Sequence, residues 1–265
     1  MIAYRGVIPI SSISEWPFPT YSVLWLAKHR HFLVFPISQN KQLNIVAFVT
    51  KGETEVADVK ESWTSVCDRK DVEDDYAGFN KHVQELISLM PEKPSKWKIN
   101  DRKPLDLWHY MGGKVVLLGD AAHAMTPHLG AGAGQSIEDG WVLGRSISDY
   151  LSSSSSQNHF ESLSSTAKLY QAVRLPRAQK TQATSRAAGN TYEMQAEDMM
   201  EKSFDECVPI IAERTRERMK WVWEEDLDAA YENVRDGGDT NAILDKAVKE
   251  NGVANGKPGV GVGTE

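Results

Sequence analysis

The stretch Lys114–Leu151 reads KVVLLGDAAHAMTPHLGAGAGQSIEDGWVLGRSISDYL. Val115, Val116, Leu117 and Leu118 form an unbroken apolar run without helical period, closed by Gly119, which predicts a buried strand of an α/β sheet. Asp120 follows at the strand's carboxyl end, the edge at which open α/β sheets bind ligands. A loop with Pro127, Gly130, Gly132 and Gly134 comes next, and Ile137, Trp141, Ile147 and Leu151 then recur at near-helical spacing. Strand, acid, glycine loop and helix, in that order, point to the α/β class.

Each part has a chemical use. A carboxylate accepts hydrogen bonds from ligand hydroxyls, glycines let backbone N–H groups approach a ligand, and a helix N-terminus favours negative charge. Together they suit a hydroxylated cofactor with an anionic part. The spacing G-x-G-x-G differs from the G-x-G-x-x-G dinucleotide fingerprint, and a tight turn in any α/β domain accounts for it equally.

Composition narrows the classes. A chain of 265 residues with 41% hydrophobic content can bury one large core or two. Its formal charge of -7 argues against a nucleic-acid partner, which generally needs a basic face. Cys67 and Cys207 show no ligand spacing with histidine, so neither a disulfide framework nor a metal site is expected. No apolar run is long enough for a membrane span and the N-terminus lacks a secretion signal, so the expected location is the cytoplasm, with no membrane partner.

Working outward, residues 1–50 read as β-rich, with strands predicted at Ile2 to Ile8, Tyr21 to Leu26, His31 to Phe35 and Leu43 to Val49, and a Gln39-Asn40-Lys41 turn between the last two. Residues 51–76, acidic and carrying Trp63, read as an exposed loop or lid. Phe79, Val83, Leu86, Ile87 and Met90 share one helical face that Pro91 ends, with His82 solvated or at the core edge. Residues 91–113 read as a return crossing into the sheet that holds Val115 to Leu118. Ser152 to Ser156 reads as a surface loop, and the helix over 166–189 is expected to kink or break at Pro176. Arg174, Arg177 and Arg186 read as solvated helix arginines, contact with an anionic ligand being the alternative. A further helix lies within 205–234, docked by Trp221, Trp223 and Leu227, and the glycine-rich end beyond Asp236 reads as a frayed tail.

The full string Gly119-Asp120-Ala121-Ala122-His123, then Pro127, then Gly130-Ala131-Gly132-Ala133-Gly134-Gln135 and Glu138-Asp139, closely resembles the second flavin-binding motif of the FAD-dependent aromatic hydroxylases, and within them the salicylate hydroxylase-like monooxygenases. Tyr4-Arg5-Gly6, the run His31 to Pro36, Arg174-Leu175-Pro176-Arg177-Ala178 and Trp221 to Leu227 also resemble that family, in order. The resemblance implies an FAD cofactor, NADH or NADPH as co-substrate, and hydroxylation of a small aromatic ring. It implies that Asp120 bonds the ribityl chain and that Gly119 and the backbone from Gly130 through Ala131, Gly132, Ala133 and Gly134 to Gln135 hold the flavin. Pro127 and His128 would lie between flavin and substrate, with His128 donating to a phenolate or carboxylate and His123 bracing the loop; solvated loop histidines are the alternative for both. Arg5 and Phe35 would face the aromatic substrate, a surface charge and an ordinary core residue being the alternative.

One departure from the family stands out. The G-x-G-x-x-G turn that binds the ADP half of FAD is not found in these residues, so the chain resembles the C-terminal portion of such an enzyme. The expected architecture is mixed α/β and α+β: residues 1–95 a partial substrate sheet with a packing helix, 96–190 part of the FAD-binding domain, 191–235 C-terminal helices and 236–265 a tail. A missing N-terminal segment or a second copy of the chain is the expected partner, and the chain alone is expected to hydroxylate negligibly. A catalytically silent α/β binding or assembly module derived from such an enzyme is the competing reading.

Overall fold

The computed structural model describes residues 1–57, 59, 62, 65–153 and 163–238. In chain order they form β1 (Ile2–Pro9), β2 (Val23–Ala27), β3 (Arg30–Ile37), β4 (Gln42–Val49), α1 (Glu53–Ala57), α2 (Arg69–Asp75), α3 (Lys81–Leu89), β5 (Ser95–Lys98), β6 (His109–Tyr110) and β7 (Val115–Val116). There follow α4 (Asp120–His123), α5 (Gly132–Ser153), α6 (Leu163–Tyr192), α7 (Phe204–Arg216), α8 (Lys220–Glu224) and α9 (Leu227–Arg235). By contacts, the described residues fall into two compact units. One gathers the described residues of 1–102, 125–129 and 183–216; the other gathers those of 103–124, 130–182 and 217–238. Helix α6 runs unbroken for 30 residues through Pro176, where a kink or break was expected, with residues 163–182 in one unit and 183–192 in the other.

The first unit is built on a five-stranded antiparallel sheet of order β2-β3-β4-β1-β5. Alternation along the strands sorts the side chains, because successive residues point to opposite faces. Tyr4 and Ile8 of β1, Phe32 and Val34 of β3, and Ile45 and Ala47 of β4 pack with Val72, Tyr76, Val83, Leu86 and Ile87 into one apolar core. Helix α3 is closed at its start by the Asn80 side chain, which accepts from the Val83 amide, and stops where Met90 turns extended ahead of Pro91. The hairpin between β3 and β4 turns through Ser38, Gln39 and Asn40, all with positive φ. Residues 51–76 are not a simple exposed loop: they include α1 and α2, and Val72 and Tyr76 are fully buried. Trp63 lies outside the described residues. β5 joins the five-stranded sheet beside β1, so residues 91–98 cross into that sheet and not into the one holding Val115.

In the second unit the apolar run after Lys114 departs from expectation. Only Val115 and Val116 are extended, paired antiparallel with His109 and Tyr110, and Val115 is 42% exposed. Leu117 and Leu118 instead pack as partly buried residues against Trp108, Ala122, Val142 and Tyr170. Helix α5 has the expected period but buries another face. Ile137, Trp141, Ile147 and Leu151 are exposed, whereas Gln135, Asp139, Val142 and Ser146 are buried. The loop expected at Ser152–Ser156 falls largely outside the described residues, as does the tail beyond residue 238. Residues 204–235 hold α7, α8 and α9, and of the expected docking residues Trp221 is buried while Trp223 is 76% exposed.

Candidate functional site

In the second unit the chain turns sharply at Gly119, with φ 55° and ψ -138°. No L-residue adopts that conformation comfortably, and a Cβ there would sit 2.8 Å from Ser136 Oγ. The Gly119 carbonyl accepts from the amides of Ala122 and His123, which starts α4 and leaves Asp120 exposed on its first turn. Gly130 also has positive φ, with nothing within 4 Å of the place a Cβ would take, and Gly134 is equally open. The 22-residue helix α5 begins at Gly132, so the N–H groups of its first turn have no intrahelical carbonyl to meet. An exposed carboxylate, an open glycine loop and free helix-end amides form a donor and acceptor set that fits the polyol and anionic edge of a flavin.

Beneath this surface lies an ionic cluster. Asp139, fully buried, accepts from the Gly119 amide at 2.8 Å, from His123 Nε2 at 2.6 Å and from Arg174 Nε at 2.9 Å. Burial pushes the Asp139 carboxyl up, but the His123 hydrogen bond, the Arg174 charge and the Gly119 amide outweigh it and hold the group below its ordinary value. Arg174 also donates to the Gln135 carbonyl at 3.2 Å, to Gln135 Oε1 at 2.7 Å and to Glu138. Arg177 grips Glu138 through Nε at 2.7 Å and Nη2 at 2.8 Å, and reaches Glu225 and the Val222 carbonyl. Desolvation would lower the Arg177 value, yet its carboxylate partners raise it above the ordinary arginine range. Arg174 and Arg177 are therefore buried braces and not the solvated arginines expected. Gln135, expected among the cofactor contacts, has its side chain fully buried and spent on Arg174 and Glu138. His123 does brace the loop.

The first unit presents a different surface. On the sheet face opposite the apolar core, Arg5 Nε donates to the buried Asn44 Oδ1 at 2.7 Å, and Phe35, 36% exposed, stands across from Asn44 in the β3–β4 register. Further along that face, His31 Nδ1 meets the buried Glu193 carboxylate at 2.9 Å, and Gln195 donates to the other Glu193 oxygen at 2.8 Å. The His128 ring packs into this end, with centroids 5.3 Å from both His31 and Phe48 and 6.3 Å from Tyr192. Gly189 makes room for it, since a Cβ there would come within 2.6 Å of His128 Cε1. Pro127 lines a cleft of about 400 Å³ with Trp97, Lys98, Ile99, Asn100, Met125 and Ser62. Among the described residues, no cluster of histidine, cysteine or acidic side chains is grouped to hold a metal ion, and no helix is long and apolar enough to cross a membrane.

The profile of the FAD binding domain family matches residues 8–185. The chain belongs to the FAD-dependent aromatic hydroxylase family. Among the relatives of this family of hydroxylases, a salicylate hydroxylase of Pseudomonas putida is 32% identical over 246 residues, which is 88% of this chain and 53% of the relative. The 6-methylsalicylate 1-monooxygenase atA of Aspergillus terreus is 32% identical over 235 residues, 86% of this chain and 47% of the relative. A solved salicylate hydroxylase substrate complex aligns with a TM-score of 0.70 at 29% identity, covering 87% of this chain and 55% of that one. The chain spans about half the length of the curated hydroxylases it matches. Asn44 and Glu193 are residues the sequence reading did not single out, and Asp139 was quoted there only as part of the motif, with no role given to it. Asn44 gave a signal, as a lone polar residue in the apolar strand QLNIVAFV.

Proposed function

We propose that this chain contributes the flavin turn and the aromatic-substrate sheet of an FAD-dependent monooxygenase acting on a small phenolic or carboxylate-bearing ring. When bound, FAD with NADH or NADPH and O2 supplies the oxygenating chemistry. The work of the chain's own residues is binding and orientation. Asp120 accepts a hydrogen bond from a ribityl hydroxyl, and the amides at Gly132, Ala133 and Gly134 face the electron-rich edge of the ring system. Arg5 meets the substrate's carboxylate and Phe35 packs on its ring, with Pro127 and His128 of the same unit as the candidates for the catalytic contacts.

The observation that carries this reading is the Arg5–Asn44 pair. Asn44 accepts from Nε of the exposed Arg5, and the two terminal nitrogens of a guanidinium suit bidentate capture of a carboxylate. Calorimetric titration with salicylate and with phenol tests it. Arg5→Ala is expected to weaken salicylate binding about tenfold or more, the worth of a charge-assisted hydrogen bond, and to leave phenol binding unchanged. Equal salicylate affinity in the two proteins removes Arg5 from the site. A folded chain that binds neither salicylate nor FAD is the silent module instead.

A further inference from the structure

Asp139 joins segments that are far apart in sequence. Its Oδ2 accepts from the backbone of the Gly119 turn and from His123 at the end of α4, while its Oδ1 accepts from Arg174 of α6. Arg174 in turn ties down the carbonyl and side chain of Gln135, in the first turns of α5. Both carboxylate oxygens are thus acceptors facing donors, and the group is fully buried. An amide in its place would present an NH2 to either Arg174 or the Gly119–His123 pair, donor against donor.

We infer that Asp139 is a positioning residue that holds the Gly119–Asp120 turn and the Gly130–Gln135 loop in one fixed relation, so that the Asp120 carboxylate and the helix-end amides address one flavin together. The ligand in this statement rests on the FAD reading above; the positioning does not. Neither unit's apolar core supplies this restraint. Gly119 and Gln135 contribute no apolar side chain to any core cluster, and their order comes from the hydrogen bonds that converge on Asp139 and Arg174. Ionisation of Asp139 is maintained by those same donors, which keep the carboxyl below its ordinary value after burial has raised it.

The test is Asp139→Asn in the full chain, read by residue-resolved amide exchange without flavin and by titration with free FAD. The expected result is faster exchange, about tenfold or more, at Gly119 and at the first-turn amides of α5, with the β1–β4 amides unchanged. FAD affinity is expected to fall by a similar factor. Asp139→Glu, which keeps the charge and lengthens the reach, is expected to shift both readouts the same way by less, and it stands in if the Asn variant is not recovered folded. Unchanged exchange at Gly119 overturns the inference, as does a uniform rise that includes β1–β4, because Asp139 would then serve folding at large. If wild type fails to bind FAD while the local exchange still rises, the positioning stands and the flavin reading fails.

Discussion

Helices α3 and α5 each press one face into an interior, and the two faces are chemically opposite. α3 buries Val83, Leu86 and Ile87 against the apolar side of the sheet. α5 buries Gln135, Asp139 and Ser146 together with Val142, and it faces Arg174 and Arg177. The first arrangement draws on the hydrophobic effect, which is non-directional and tolerates small shifts. The second draws on charge-assisted hydrogen bonds that fix geometry and leave costly orphans when one partner is removed. A scaffold that must hold a large planar cofactor in register gains more from the second kind, and the candidate flavin turn stands directly on it.

The contrast predicts a ranked set of losses. Arg174→Ala removes the partner of the buried Asp139 and the half-buried Glu138 and is expected to cost about 3–5 kcal/mol in urea unfolding at neutral pH. Phe32→Ala, in the sheet core, is expected to cost a similar ~3–5 kcal/mol by leaving a cavity. The two separate in acid. Asp139 has a folded-state value below its usual 3.8, so its contribution to stability is present above that value and is lost as pH falls through the folded one. The Arg174→Ala penalty should therefore shrink below about pH 4, whereas the Phe32→Ala penalty stays constant. Equal pH dependence in the two variants would break the comparison. The smallest effect is expected on the outer face of α5, where Arg145 bridges the exposed Asp228 and Glu232 and lies over the Tyr231 ring. Arg145→Ala is expected to cost at most about 1 kcal/mol, and less at high salt.

How far the molecule was legible follows from the same chemistry. The four N-terminal strands, the hairpin turn and α3 could be read because apolar alternation and helical period report burial when the buried groups are apolar. The motif around Gly119 was legible through its glycines and acid. The buried face of α5 was not legible, because Ile137, Trp141, Ile147 and Leu151 look like a core stripe, whereas the residues that are buried look like a solvated surface. Arg174 and Arg177 escaped for the same reason: nothing in one sequence says that an arginine will find two carboxylates on a neighbouring helix. The short strand at Val115 was overread, since an apolar run predicts burial and not the length of a ladder.

The central claim is that the Gly119–Gln135 segment carries the flavin contacts, and its most direct test is equilibrium titration of FAD fluorescence with the wild-type chain and with Asp120→Ala. The account predicts saturable binding by wild type and a loss of about 1.5–3 kcal/mol, roughly tenfold to a hundredfold in affinity, when the exposed carboxylate is removed from an otherwise folded protein. Identical FAD affinity in the two proteins would contradict it.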